Sequence, residues 1–327
     1  MQDKPNEANK PTPEQVDSVL RKAVKEKSSW TVGHVLVTIL LLIPPLACLG
    51  WMVWPTPDPP DAYVVAFDAL SVAKKNPKIG AVLRSKNLNT KHETLAGWPV
   101  VFQVGRTSKT SSGQLTKAQS NELGWVSAMF KKPLPEGIAP VMVSYRPEYS
   151  EFQSESLARI FTWPPNSPIL IVDAENTLTK KDKVDWHKVG IDKISPNPEA
   201  AKAMLAMQKA NFKIVYLACT VTDPLDYLKV REWVNERSRT IEPVLPDGPV
   251  LGRESYDPEL STHLAVKGRV ESIAKQFSGR VIVVTTHEET SNAMTESGAE
   301  TINVGHPHDD RTTTVKDWDA FVKKYGE

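Results

Sequence analysis

From Val35 to Trp54 the chain reads VLVTILLLIPPLACLGWMVW, twenty residues without a charge. That is the length a helix needs to cross the hydrocarbon core of a bilayer. At 1.5 Å per residue, Trp30 to Trp54 would extend roughly 36 Å, which puts Trp30 at one interface and Trp51 with Trp54 at the other. Upstream, Arg21, Lys22, Lys25 and Lys27 face only Glu26; downstream, Asp58 and Asp61 lie in a proline-rich stretch without Lys or Arg. The positive-inside rule then predicts a cytoplasmic N-terminus, with everything after Trp54 outside. A cleaved signal peptide would have a shorter apolar region and no thirty-residue polar leader. A lipoprotein reading of Cys48 is opposed by Pro45, and a water-soluble core helix by Pro44-Pro45; in a membrane such a kink is tolerated. The expected order is a polar tail over residues 1–29, a single transmembrane helix over 30–54 and a proline-rich linker over 55–61. Within the tail a short helix from Thr12 to about Lys27 is predicted, with Pro13 at its first position behind a Thr cap.

The remaining length accommodates about two domains. Forty basic and thirty-nine acidic residues leave a net charge of +1, so bulk charge gives no reason to expect a nucleic-acid partner. Cys48 and Cys219 are the only cysteines; they build no disulfide framework, and no Cys/His cluster has the spacing of a zinc site. His287, His306 and His308 are irregularly spaced and read as loop residues.

Residues 62–161 carry short alternating runs, AYVVAF, KIGAVLRS, WPVVFQVG, GWVSAMF and APVMVSY, separated by turn-rich pieces such as KNP and PLPEG. Short strands at this spacing predict an all-β sandwich. The phrase from Gly97 to Tyr145 resembles bacterial immunoglobulin-like (Ig-like) and transthyretin-like modules, which implies a spacer or binding role. No residue in this region has a catalytic arrangement.

From Trp163 the pattern changes. SPILIVDAENTL is followed by a helical PEAAKAMLAMQKANF, the strand KIVYLACT, the helix LDYLKVREWVNERS, the strand PVLG, the helix VKGRVESIAKQF and the strand RVIVVTT, then TSNAMTESG, TINVG and an amphipathic VKDWDAFVKKYG. Nearly continuous apolar strands alternating with helices predict a three-layer α/β domain, residues 163–327, around a parallel sheet. Such sheets place their chemistry beyond the carboxyl ends of the strands, where Asp173 stands on the first. An Asp in that position also caps turns.

ILIVDAENTLT, residues 169–179, is similar to the first motif of the haloacid dehalogenase (HAD) superfamily. The flanking words, with WPPNSP ahead of the strand and a VG ending near residue 305, resemble its lipin-type branch. The resemblance covers about residues 163–310. It implies a Rossmann-like (Rossmannoid) fold, Asp173 as the nucleophile that forms an aspartyl-phosphate, and magnesium bridging nucleophile and phosphate. In-line attack between like charges needs such neutralisation and close placement. By the same resemblance Glu175 stands for the general acid and base, Thr177 and Thr220 are phosphate-binding, and Lys267 shields the phosphate, with Lys275 as its competitor. Asp173, Glu175, Glu288 and Glu289 are the metal candidates.

The sequence departs from the motifs. Glu175 is one methylene longer than the usual Asp, a displacement of the kind that costs about a hundredfold in a tight site. Asn176 replaces Gly, Ala218 replaces a Thr or Ser, and in TTHEETSN Thr290 falls where an acid is expected, with Glu288 and Glu289 only adjacent. Two functions follow. One is a membrane-anchored, degenerate HAD-like phosphatase domain used for binding or envelope structure. The other is an active Mg-dependent phosphatase acting on a phosphomonoester, including a phospholipid headgroup.

Overall fold

The computed structural model describes residues 21, 60–86, 94–105, 113–146, 153–180, 184–237, 244–257, 259–307 and 310–326. The chain divides into two compact units, Met1–Asp58 and Pro59–Glu327. The expected tail helix (apart from Arg21), the transmembrane helix and all of the linker before Pro60 lie outside the described residues. Among the described residues no helix is long and apolar enough to cross a membrane.

The second unit is a mixed α/β body with three sheets. β1 (Ala62–Ala66), β3 (Lys78–Ser85) and β6 (Trp125–Met129) form an antiparallel sheet of three. A sheet of five runs in the order β2 (Ala69–Val72), β8 (Ser154–Trp163), β7 (Gly137–Tyr145), β4 (Pro99–Val104) and β5 (Leu115–Gln119). Its pairs are antiparallel except β2 with β8, which run parallel. That parallel pair makes the sheet mixed. One buried cluster draws on both sheets, with Val64, Ile79, Leu83 and Val126 from one and Val100, Phe102, Val141 and Ile160 from the other. In these two sheets three strands come in addition to those read from the sequence: β2, β5 and β8.

The third sheet is parallel throughout, with six strands in the order β11 (Val250–Gly252), β10 (Lys213–Ala218), β9 (Ile169–Asp173), β12 (Val281–Thr285), β13 (Glu300–Val304), β14 (Thr313–Val315). β9 is buried along its whole length. Its alternate side chains feed two cores. Leu170 and Val172 pack with Met204 and Met207 of α1 (Pro198–Lys209), Val230 and Trp233 of α2 (Pro224–Arg237) and Phe321 of α5 (Trp318–Tyr325). Ile169 and Ile171 pack with Val266, Val270 and Ile273 of α3 (Thr262–Gln276) and Met294 of α4 (Glu288–Glu296). The three layers expected from strand and helix alternation are therefore present. From β9 the chain builds outward through β10 and β11, then returns to β12 on the other side. β9 thus borders the point where strand order reverses, where open α/β sheets leave a crevice.

A buried carboxylate ties the β-rich part to the α/β part. Asp68, whose side chain has no exposure, accepts from Arg159 N at 3.0 Å, Arg159 Nη2 at 3.1 Å and Val250 N at 3.3 Å. Tyr227 of α2 donates from its hydroxyl to Val250 O at 2.9 Å, and Asp68 N donates to that same hydroxyl at 3.0 Å.

Candidate functional site

Asp173 is the last residue of β9, and the chain turns immediately after it. Its Oδ1 accepts from Glu175 N at 3.2 Å and Asn176 N at 3.3 Å, an Asx-type turn in which the side chain caps the backbone. Oδ2 accepts from Asn176 Nδ2 at 3.1 Å and, at 3.4 Å, from Thr285 Oγ1 at the end of β12. Thr177 N donates to Asp173 O at 3.1 Å and closes the turn. Further along, Asn197 N donates to Leu178 O, while Asn197 Oδ1 caps α1 through Glu199 N at 3.1 Å and Ala200 N at 3.3 Å. The turn is therefore anchored at both ends, to a central strand and to a helix start.

Glu175 is only 1% exposed, as is Asp173. Its carboxyl points into the segment after β10 and receives three converging donors: Thr220 N at 2.8 Å and the Thr220 hydroxyl on Oε2, and Val221 N at 2.8 Å on Oε1. Burial, and next the charge of Asp173, push Glu175 up to about 8, against the lowering pull of those three hydrogen bonds. Arg253, just beyond β11 and almost wholly buried, supports this segment from behind. Its Nε donates to Cys219 O at 2.9 Å, Nη1 to Leu260 O at 2.7 Å and Nη2 to Thr262 Oγ1 at 2.9 Å. Cys219 itself is buried, and burial pushes its thiol up to about 12, which leaves it protonated and unreactive.

Of the residues expected at the site, the structure brings together Asp173, Glu175, Thr177 and Thr220. Thr177 Oγ1 accepts from Thr286 N at 3.2 Å, and the Thr220 hydroxyl is taken by Glu175, so both oxygens already have partners within the chain. Lys267 is directed elsewhere: its Nζ lies 3.5 Å from Glu296 Oε2 on α4, which also bonds His263 Nε2 at 2.9 Å. Lys275 pairs with Glu271 one helical turn away, at 3.1 Å. Glu288 and Glu289 are exposed and helical, in the first turn of α4 rather than in a loop. Carboxylates complement the partial positive charge of a helix start, which accounts for them without a metal. Thr290 is buried. Among the described residues, no group of three His, Cys, Asp or Glu side chains is placed to hold a metal ion. His308 lies outside the described residues.

Above the turn an open crevice is lined by Asn176, His287, Glu288, His306 and Lys316, with Trp318 at one wall. It lies beyond the carboxyl ends of β9, β12 and β13, where strand order reverses. Asn176 is the contact between crevice and carboxylates: it lines the opening while its amide holds Asp173. Thr285, Val221 and Arg253 are site residues that the sequence does not single out, and Asn176 appears there only as a replacement for Gly. Arg253 left one signal, an arginine directly after a short buried strand.

No protein-family model matches this chain, and no curated protein matches it. Among solved structures, the chain is similar to a D,D-heptose 1.7-bisphosphate phosphatase from B. bronchiseptica complexed with magnesium and phosphate. The identity is 13%, the match covers 48% of this chain and 97% of that one, and the TM-score is 0.39. A HAD-like phosphatase from Mesorhizobium loti matches at 16% identity over 49% of this chain and 85% of that one, TM-score 0.37. A calcium-binding mutant of Bacteroides uniformis beta-glucuronidase 2 matches at 7% identity over 75% of this chain and 33% of that one, TM-score 0.30. With TM-scores of this size the likenesses carry no weight for function.

Proposed function

We propose that this is a membrane-anchored protein whose C-terminal part, residues 163–327, is a degenerate HAD-like phosphatase domain, weak or inactive in turnover and used for binding or envelope structure. One observation carries the reading: both carboxylates at the end of β9 are satisfied within the chain. Asp173 meets two backbone amides, the Asn176 amide and the Thr285 hydroxyl, and Glu175 meets Thr220 and Val221. A nucleophile needs a free lone pair in line with its target. Here Asn176 stands against the oxygen that would attack. Nor do these residues fit a magnesium ion, which takes oxygen ligands in octahedral geometry. The donors of Asn176 and Thr285 occupy Oδ2 and no third carboxylate joins the pair among the described residues, so no step is routed through a metal. The crevice ligand in this reading is a phosphomonoester or a phospholipid headgroup, held without hydrolysis. The test is hydrolysis of an aryl phosphate by the full chain with and without magnesium. Turnover equal to that of an Asp173→Asn variant is expected; metal-dependent turnover abolished by that variant would overturn the reading.

One observation favours active catalysis as a second reading. Glu175, pushed up to about 8, carries a proton at neutral pH and has the protonation state of a general acid. For that role it would have to leave the Thr220–Val221 amides and face the crevice, with Asp173 as the attacking group.

The anchor belongs to the same proposal, with residues 30–54 crossing the bilayer, the N-terminus cytoplasmic and residues 62–327 outside. The β-rich part, residues 62–161, is proposed as an Ig-like or transthyretin-like sandwich acting as spacer or binding module. A C-terminal alkaline phosphatase fusion, active only when exported, should be active; activity of a cytoplasm-dependent reporter instead would reverse the topology.

A further inference from the structure

A second cleft, of about 420 Å³, lies where β2, β3 and β6 meet the C-terminal half of α3. It shares no residue with the crevice above β9. Its chemistry is one-sided. Lys75 and Lys78 are exposed on one wall, and neither makes an ion pair with a described residue. Asn76, Ser127 and Gln276 add neutral polar groups. The carboxylates that border it are already committed, Glu254 to Arg269 at 3.1 Å and the buried Asp68 to Arg159 at 3.1 Å. What remains open to a ligand is donor-rich and positive.

The cleft also has a fixed aromatic wall. Trp125 of β6 is half-buried and lies over Gly80 of β3, where a Cβ would come within 2.4 Å of Trp125 Cζ2 and 2.7 Å of Cη2. Only the missing side chain at 80 lets the indole settle there. Phe67 backs it, with ring centroids 5.3 Å apart. An indole body with an N–H at one edge offers apolar contact and a hydrogen bond from the same side chain. Paired with amide and hydroxyl groups, it suits the C–H face and hydroxyls of a sugar ring, and the two lysines suit an acidic substituent on that ring.

We propose that this cleft is a binding site for an acidic saccharide, with Trp125 as the ring platform and Lys75 and Lys78 as the carboxylate contacts. A polynucleotide fits less well, because the whole chain carries only +1 and that balance supplies no extended phosphate-tracking surface. The proposal stands apart from the chemistry at Asp173 and holds whether or not that site turns over phosphate.

The test is calorimetric titration of the full chain with a hexagalacturonate, a neutral cellohexaose and a hexadeoxythymidylate at low salt. Hexagalacturonate is expected to bind at least tenfold more tightly than the other two. A Lys75→Glu/Lys78→Glu double variant should lose at least tenfold of that affinity at an unchanged melting temperature, since both side chains are exposed. Trp125→Phe, which keeps the packing against Phe67 but removes the indole N–H and part of the platform, should weaken binding several-fold. Equal or absent binding of the two hexasaccharides, preference for the oligonucleotide, or affinity indifferent to the double reversal would each overturn the proposal.

Discussion

Replacing Glu175 with Gln removes the titratable group of the buried site with almost no change of shape, and the structure fixes how stability should respond to pH. The group rises from 4.5 to about 8 on folding, first because it is buried and second because Asp173 is beside it. Between those values the native chain holds a proton that the unfolded chain has released. Stability therefore falls as pH rises, by about 1.4 kcal/mol per unit and about 5 kcal/mol across the whole window. The contribution is complete below about pH 4.5 and gone once pH passes about 8. Glutamine cannot titrate, so this slope disappears in the variant. It carries a different penalty: one oxygen faces one of the two backbone amides, and its NH2 faces the other donor, which leaves an N–H without an acceptor at about 1 to 3 kcal/mol. A protonated Glu avoids this by donating its own O–H to Thr220 Oγ1 while its carbonyl oxygen accepts. The Gln variant should accordingly be the less stable protein near pH 5 and the more stable one by pH 8. Urea denaturation followed by tryptophan fluorescence at pH 5, 6, 7 and 8 measures both curves. Parallel profiles for wild type and variant would refute the assignment of a buried, proton-holding Glu175.

Asp68→Asn should cost about 1 to 3 kcal/mol, because an amide N–H replaces one acceptor oxygen facing Arg159 and Val250 N while Arg159 keeps its pair with Asp247; a double-mutant cycle with Arg159→Met checks it, the two changes together costing less than their sum. Arg253→Met should remove about 1 to 3 kcal/mol by leaving Cys219 O and Leu260 O without their donors, and it should also flatten the pH profile of Glu175 by loosening the segment that holds it. Cys219, buried with its thiol pushed up to about 12, should resist iodoacetamide at pH 8 in the folded chain and react in 6 M urea, as mass spectrometry of the alkylated peptide would show. Gly80→Val should disturb the wall of the second cleft, since the new side chain meets the Trp125 ring; a shifted tryptophan emission is the readout.

What the sequence disclosed about the fold depended on whether burial was one-sided or complete. β9 and β10 are buried on both faces and appear as unbroken apolar runs, so their place in a parallel sheet was legible. β8 alternates half-buried and exposed residues through SESL before its largely buried remainder, and β5 is exposed at every second position with a polar LTKAQ; neither starts as an apolar run. β5 and β8 each pair with the strand just before them, but β8 also pairs with β2, Ala69 against Ile160, and pairing of that kind leaves no local trace. β14 is three residues long, too short for any period to show.

The site divides in the same way. Asp173 drew attention because it stands at a strand end, a position that strand and helix alternation predicts; Glu175 and Thr220 came only from the resemblance to the HAD motifs. Their bonding was not legible, because four of the seven donors to Asp173 and Glu175 are backbone amides. Lys267 shows the converse: a cation at a plausible place in the chain order is turned to Glu296 by the packing of α3 on α4. The extra methylene of Glu175, read from sequence as a misplacement of an acid, takes on a structural meaning. An aspartate at 175 would fall about 1.5 Å short of the Thr220 and Val221 amides that Glu175 meets at 2.8 Å. The longer side chain joins the turn after β9 to the turn after β10 and so bridges the two strands whose ends frame the crevice. In that position its removal tests architecture and chemistry separately: loss of the bridge lowers stability at acid pH, whereas loss of a proton donor lowers only turnover.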